Sequence, residues 1–224
     1  MISSFFSKNI IKLNEIDSTN NFLLKLNKTK KFTDPVVVIA DYQTNGKGRS
    51  KKRWDSEYGK NLLISILINH EIKIEDQFKF CAIISLSLRE LISVYLEEQV
   101  FIKWPNDIIV ENKKIAGFII ENIVSEKKII TSAIGIGINV NQLKFKKYVP
   151  EATSLAIIKN CDFDINQIKE KLLELIDKYM NNFNGNIVKL FNDFLYMKKE
   201  TLNFEIKGVK EKAKIISVSE NGEL

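Results

Sequence analysis

The run Lys103-Trp104-Pro105-Asn106-Asp107 constrains this chain more than any other stretch. A proline fixes its own φ and pushes the residue before it out of the helical region, so the Trp104-Pro105 step reads as extended and stiff. Val100 to Lys103 ahead of it and Ile108-Ile109-Val110 behind it are apolar, strand-forming segments. Glu111-Asn112-Lys113 is a polar turn, and Lys114 begins a return strand through Ile115, Ala116, Phe118, Ile119 and Ile120. In a tight hairpin the start of the first strand lies beside the middle of the second. Asp107 and Lys114 therefore border one cleft without having to face each other directly. A carboxylate and an ammonium around a cleft suit a phosphate-bearing substrate, with or without a metal ion. A surface salt bridge beside a core tryptophan is the plainer alternative.

The rest of the composition removes several kinds of chemistry. The 224 residues suit one sizeable domain with a small appendage, and 45% hydrophobic residues are enough for an ordinary core. The formal charge of +6 comes from lysines spread along the chain, with one dense cluster from Lys47 to Arg53. Nucleic acid, a phosphate-bearing ligand and an acidic protein partner all fit that balance. Cys81 and Cys161 lie far apart and suggest neither a disulfide framework nor a zinc site, and Cys81 falls in an apolar helical stretch as a small buried residue. His70 is the only histidine, which leaves little material for a Ser-His-Asp arrangement or a multi-histidine metal site; it reads as a loop residue after a strand. Met1 to Leu13 lacks the pattern of a signal peptide, and no apolar run is long enough to span a membrane, so a cytoplasmic protein is expected.

Periodicity gives the elements in outline. Ile10 to Leu13 is a short strand, and Asp17 or Ser18 caps a helix striped by Phe22, Leu23 and Leu26. Val36 to Ala40 and Leu62 to Ile68 are buried strands flanking a polar loop from Asp41 to Lys60. Glu75 to Leu96 is a long, mostly apolar helix, and Lys128 to Asn139 is a further strand. Two helices follow, one striped by Ile165, Ile168, Leu172, Leu175, Ile176 and Tyr179, the second over Ile187 to Met197. Short strands Leu202 to Ile206 and Ala213 to Val218 close the chain. This order predicts an α+β fold with a mixed or antiparallel sheet and packed helices. Residues 1–199 form the main domain and 200–224 a partial β domain. Asn221-Gly222 is a strong hairpin signal with only Glu223 and Leu224 after it, so the tail reads as an incomplete β unit or a frayed end.

Three further segments carry chemistry. In Gln43-Thr44-Asn45-Gly46-Lys47-Gly48-Arg49-Ser50-Lys51-Lys52-Arg53-Trp54, two glycines let backbone N–H groups approach an anion and the cations neutralise phosphate oxygens. The spacing matches neither a dinucleotide-binding fingerprint nor a Walker loop. Ser18-Thr19-Asn20 supplies hydroxyls and an amide at a helix N-terminus, either as a cap or as hydrogen bonds to a small polar ligand. In Gly135-Ile136-Gly137-Ile138-Asn139 the glycines suggest close approach of backbone or ligand, and Asn139 places a donor and an acceptor that suit a purine edge or a turn.

Together these segments resemble the catalytic domain of biotin protein ligases, with specific motifs from about Asn14 to Leu155. The resemblance implies a class II synthetase-like α+β domain around a mixed sheet, followed by a small SH3-like barrel that is incomplete here. No N-terminal DNA-binding domain is expected in a chain that starts at the catalytic domain. The implied reaction joins biotin and ATP into biotinyl-5′-AMP, then passes biotin to a lysine of the biotin carboxyl carrier protein of acetyl-CoA carboxylase, with Mg²⁺ assisting. The resemblance assigns Lys114, Arg49 and Asp107 to catalysis. Lys114 contacts the biotin carboxylate and the phosphate, Arg49 closes over the adenylate, and Asp107 either helps hold Mg²⁺ or orients the incoming lysine. Ser18, Thr19, Asn20, Gln43, Gly46 and Gly117 join Lys114 around biotin. Gly48, Lys52, Trp54, Asn106 and Asn139 join Arg49 and Lys114 around ATP. Family members occur as monomers and as dimers through the sheet, so a homodimer is among the expected assemblies.

This chain departs from the family loop pattern at Lys47, Lys51 and Lys52, which keep charge but lose the bidentate geometry of arginine and, at Lys51, a glycine. Two other readings remain. A lipoate or octanoate ligase or transferase shares the architecture, though the Trp-Pro-Asn-Asp run favours biotin. A nucleic-acid-binding module built on Lys47 to Arg53 explains neither Asp107 nor Asn139, and nucleic acid and membranes are not expected partners.

Overall fold

The chain runs β1 (Ile10–Ile16), α1 (Thr19–Thr29), β2 (Val36–Gln43), β3 (Asn61–Lys73), α2 (Gln77–Tyr95), β4 (Val100–Lys103), β5 (Asp107–Val110), β6 (Lys113–Ser125), β7 (Lys128–Asn139), α3 (Leu155–Lys159), α4 (Ile165–Met180), α5 (Ile187–Asp193), β8 (Thr201–Ile206) and β9 (Val209–Lys214). The structure is a computed structural model that describes residues 6, 8–30, 32–147, 149–181, 185–206 and 208–224, with Lys51, Glu205 and Ile206 described through the backbone alone. Strands β1 to β7 form one sheet in the order β1-β2-β3-β7-β6-β5-β4, and β8-β9 form a separate two-stranded sheet. Among the described strands of that sheet, only β1 and β2 run parallel, joined through α1; every other neighbouring pair in it is antiparallel. The predicted α+β fold with a mixed sheet is what forms.

Strand alternation divides the sheet into two unlike faces. Val37, Leu62, Ile64, Ile66, Ile134, Ile136, Ile138, Ile108 and Phe118 point to one face, where they pack against α2, α4 and α5 in the main core. Val36, Val38, Leu67 and Ala133 point to the other, where Leu23 of α1 covers them. That single helix shields only part of its face. Over β3, β5, β6 and β7 the same face carries Ser65, Asp107, Gly117, Gly135 and Gly137 and remains open as a cavity.

The chain ends its elements where the sequence chemistry says, with several differences. Ser18 caps α1, its Oγ accepting from Asn21 N at 3.4 Å. Strand β2 continues to Gln43 because β1 pairs with it as far as Ile16, so the polar loop starts at Thr44. His70 lies inside β3, not in a loop, because β7 stays opposite that strand as far as Lys128 across a register shift between Asn69 and Ile72. Its Nε2 sits 2.8 Å from Ser132 Oγ, and burial lowers its pKa. Trp104–Asn106 is a tight turn rather than an extended step, and the Trp104–Pro105 peptide is cis. The pairing of Lys103 with Asp107 across β4 and β5 demands that reversal. Helix α5 stops at Asp193 instead of Met197, because the backbone from Phe194 to Tyr196 leaves the helix to bond both sides of Ile102 (2.8 and 2.9 Å) and cover the β4 edge.

The tail also differs from expectation. Its second strand is Val209–Lys214, turning at Gly208, and residues from Ile215 onward leave the hairpin. Val218 enters the main core, its N–H and C=O bracketed by the Asn192 side chain at 2.7 and 2.9 Å. The Asn221-Gly222 turn is docked, not frayed: Gly222 has φ +86°, lies against Phe78, and accepts from Trp104 Nε1 at 3.0 Å.

Helices α2 and α4 are tied by Glu90, which accepts from Tyr179 OH at 2.6 Å and Lys178 Nζ at 2.7 Å. Partial burial alone would raise the Glu90 pKa, but those hydrogen bonds and the lysine charge outweigh it and hold the carboxyl below its ordinary 4.5. A depressed carboxylate stabilises above its unfolded pKa, and that contribution is lost as pH falls through the folded value. Glu90→Gln is therefore expected to lower the melting temperature at neutral pH. Melting curves from about pH 7 down to about pH 3 should show parent and variant converging below about pH 4.5; a constant gap would mean that the charge does not contribute.

Candidate active site

The open part of the sheet face forms a cavity of about 690 Å³. Its floor is a cross-strand row in which Asp107 pairs with Gly117 and Gly117 with Gly137, with Ser65 opposite Gly135 one step along. Side chains at these glycines would fill it. A Cβ at Gly117 would stand 2.9 Å from Lys114 Nζ and 3.1 Å from Asp107 Oδ1, and one at Gly137 would fall inside the Trp54 indole. Three walls rise from the floor: the α1 N-terminus, the glycine-containing loop and the Trp104–Asp107 turn.

Lys114 Nζ and Asp107 Oδ1 form an ion pair at 2.6 Å on the cavity wall, each side chain about a quarter exposed (27% and 20%). The two residues reach each other because β6 carries a register shift: Ile108 pairs with Ala116 but Ile109 with Lys114. In an unbroken strand Lys114 and Gly117, three apart, would point to opposite faces; a bulge re-aims the lysine onto the glycine face. Segment 151–153 then locks its backbone, Glu151 O accepting from Lys114 N at 2.7 Å and Thr153 N donating to Lys114 O at 2.9 Å. The Lys114 ammonium also lies 5.3 Å from the Trp54 ring centroid.

The loop after β2 folds over the mouth as a small hairpin, with Trp54 N bonded to Gly46 O at 2.9 Å and Gly48 N to Lys52 O at 2.7 Å. Arg49 stands over Trp104 at 5.8 Å from its ring, and Lys47, Lys52, Lys103 and Lys146 add further positive charge to the lining. Arg53, also in the lining, is held on Asn45 Oδ1, with contacts at 3.0 and 2.8 Å. Behind the Trp104–Asp107 turn, Cys81 donates from Sγ to Pro105 O at 3.4 Å. Burial pushes its thiol up to about 12, against a smaller opposing effect of Arg49, so it is a protonated packing group rather than a nucleophile.

At the α1 end, Gln43 Oε1 accepts from Thr19 N at 2.8 Å and Thr19 Oγ1 at 3.0 Å, and Thr19 Oγ1 touches Ser65 Oγ at 2.7 Å. Two buried polar atoms among the lining residues have no hydrogen-bond partner, Asn20 Oδ1 and Trp54 Nε1. An unpaired acceptor and an unpaired donor on the walls of one cavity are what a polar ligand would satisfy.

The structure thus gathers Ser18, Thr19, Asn20, Gln43, Gly48, Arg49, Lys52, Trp54, Asn106, Asp107, Lys114, Gly117 and Asn139 around one space. Gly46 is not part of the lining; its lack of a side chain makes room for Gln43 Nε2 and Trp54 O, which a Cβ would meet at 3.2 and 2.6 Å. Two asparagines have structural partners as well as cavity exposure. Asn106 Nδ2 donates to Phe118 O at 2.6 Å, and Asn139 Nδ2 to Thr153 O at 2.9 Å. Ser65, not among the residues the motifs single out, belongs to the site as well; it is the lone polar residue in the run Leu62 to Ile68, and that interruption is its signal in the sequence. Phe145, Lys146, Val149, Pro150 and Ala152, which also line the mouth, fall in a stretch with no periodic pattern to reveal them.

Comparison with known proteins decides the lineage. Residues 13–139 match the model of the biotin/lipoate A/B protein ligase family. The chain belongs to that family. It is 29% identical over 165 residues to the biotin–[acetyl-CoA-carboxylase] ligase of Mycobacterium tuberculosis, covering 71% of this chain and 59% of that one. It is 34% identical over 106 residues to the bifunctional ligase/repressor BirA of Bacillus spizizenii, covering 47% of this chain and 33% of that one. The chain thus spans about a third of the length of such a ligase/repressor. Among solved structures, the Aquifex aeolicus biotin protein ligase in complex with biotin and ATP superposes with a TM-score of 0.77 at 28% identity, covering 96% of this chain and 90% of the other. The biotin/lipoate ligase fold therefore extends well past the matched motifs.

Packing of Trp54 on Gly137 gives a test that needs no ligand. Gly137→Val should expel the indole and shift its fluorescence to the red, read in a Trp104→Phe background so that Trp54 alone reports. An unshifted spectrum would show that Trp54 does not rest on the glycine row.

Proposed function

We propose that this chain is a biotin protein ligase that forms biotinyl-5′-AMP from biotin and ATP and transfers biotin to a lysine of the carboxyl carrier protein of acetyl-CoA carboxylase. The observation that carries the reading is the Lys114–Asp107 pair, set at 2.6 Å beside a floor cleared of side chains and walled by cations. The family match and the likeness to ligases whose names specify biotin support it.

The proposed first step forms a bond between a biotin carboxylate oxygen and the α-phosphorus of ATP and breaks the bond from that phosphorus to the leaving pyrophosphate. Two anionic groups must be brought together, so the barrier is largely one of charge and alignment. Lys114 Nζ, fixed by the bulge and by segment 151–153, leaves its pairing with Asp107 to neutralise the carboxylate and phosphate oxygens. Arg49 and Lys52 add charge over the nucleotide, and Trp54 offers a flat surface beside them. Thr19, Gln43 and Ser65 hold the ring end of biotin at the α1 wall.

In the second step the acceptor lysine amine attacks the carbonyl of the mixed anhydride, an amide forms and AMP leaves. Asp107, released from Lys114, lies at the same spot to receive the proton of that amine. No group of three or more His, Cys, Asp or Glu capable of holding a metal occurs among the described residues. Of the two aspartates in the lining, Asp55 is paired with Lys146 at 2.9 Å, and Asp107 would offer its carboxylate to an Mg²⁺ that arrives with the triphosphate, an ion that keeps waters and uses one or two carboxylates besides phosphate oxygens.

The direct assay is transfer of labelled biotin to a carboxyl carrier domain with ATP and Mg²⁺, with lipoate and octanoate in parallel. Labelling from biotin supports the proposal; turnover with lipoate or octanoate alone replaces it with the other branch of the family. Lys114→Ala is expected to slow adenylate formation by about 10²- to 10³-fold, the range for removing one preorganised charge-stabilising group, with the melting temperature little changed. Arg49→Ala is expected to release the adenylate into solution, read as free biotinyl-5′-AMP. Retention equal to that of the parent would remove Arg49 from the closing loop.

A further inference from the structure

Glu121 does not line the cavity, yet it touches two residues that do. It lies on β6 two steps beyond Ile119, opposite Ala133 of β7. One carboxylate oxygen, Oε2, accepts from Asn20 Nδ2, and the other, Oε1, is 3.4 Å from Lys47 Nζ in the glycine-containing loop. A carboxylate has acceptors only, so it dictates which way the Asn20 amide points. The NH₂ must face Glu121 and the oxygen must face away. That oxygen is the buried Asn20 Oδ1 without a partner, and it lies 3.4 Å from the position a Cβ at Gly135 would take. With no Cβ at Gly135, the Asn20 amide rests directly on the strand backbone there, among the residues that line the cavity.

We propose that Glu121 is a positioning residue that sets the polarity of this wall, presenting an acceptor to an N–H of the bound ligand. This deepens the proposed function, and rests on it, by giving the ureido N–H end of biotin a designated partner and naming the residue that orients it. Lys47, where the family loop usually has arginine, serves here as the second counterion that holds the carboxylate against Asn20. A neutral isostere and a charge swap separate orientation from mere ion pairing.

Glu121→Gln keeps an oxygen that accepts from Asn20 but loses the charge opposite Lys47. The double variant Glu121→Lys with Lys47→Glu keeps an ion pair but offers Asn20 a donor, which turns its amide around and points NH₂ at the ligand. Biotin affinity is measured by calorimetry on the folded proteins, with melting curves alongside. We expect Glu121→Gln to bind biotin within about twofold of the parent and the swap to bind about tenfold more weakly, the scale of one hydrogen bond made or lost. A swap that binds like the parent, or a Glu121→Gln variant that loses as much as the swap, overturns the inference. If the parent itself does not bind biotin, the functional reading fails, and that outcome is distinct from failure of Glu121 to orient Asn20.

Discussion

Everything at this site depends on a sheet face stripped of side chains. Gly117, Gly135 and Gly137 sit on adjacent strands, paired with one another or with Asp107 and Ser65, so the missing Cβ atoms fall side by side. Next to them α1 covers part of the same face, and the opposite face is packed by α2 and α4, with α5 against α2. The sheet can spare this area because its strands are anchored on the other side by Ile64, Ile134, Ile136, Phe118 and their neighbours. Glycine within strands weakens them, and here a deep core beneath the strands offsets that cost.

The electrostatics follow from the same layout. A bulge turns Lys114 onto the cleared face, and Gly117 leaves the space the lysine needs to meet Asp107. The pair is partly desolvated, which strengthens its attraction but also favours exchange for a ligand that brings its own charge. Around it the loop contributes Lys47, Arg49 and Lys52, held by backbone bonds between residues 46 and 54. Trp104 links this wall to the tail, since one ring faces Arg49 while its N–H bonds to Gly222. The tail thereby supports the turn that carries Asp107.

Much of this was legible in the sequence, for identifiable reasons. Hydrophobic runs such as Leu62 to Ile68 and Lys128 to Asn139 fixed the strands, and the chemistry-bearing residues fell at strand ends and turns, where motif spacing is informative. What was not legible depended on long-range pairing. Nothing local shows that β3 continues through His70, because β7 decides it. The direct meeting of Lys114 and Asp107 rests on a one-residue register shift that no periodicity announces. Gly46 reads like Gly48 in the chain, yet one makes room for Gln43 while the other lines the cavity. The bracketing of Val218 by Asn192 is likewise a contact between distant segments.

The central claim is that Lys114 exchanges Asp107 for the acid group of a ligand lying over the glycine row. A crystal structure of the protein with biotinyl-5′-AMP measures this most directly. The account predicts the acyl and phosphate oxygens within hydrogen-bonding distance of Lys114 Nζ, the ligand against Gly117 and the Trp54 indole that covers Gly137, and the Lys114–Asp107 contact opened. Ligand bound away from that row, with the ion pair intact at its 2.6 Å separation, would contradict it.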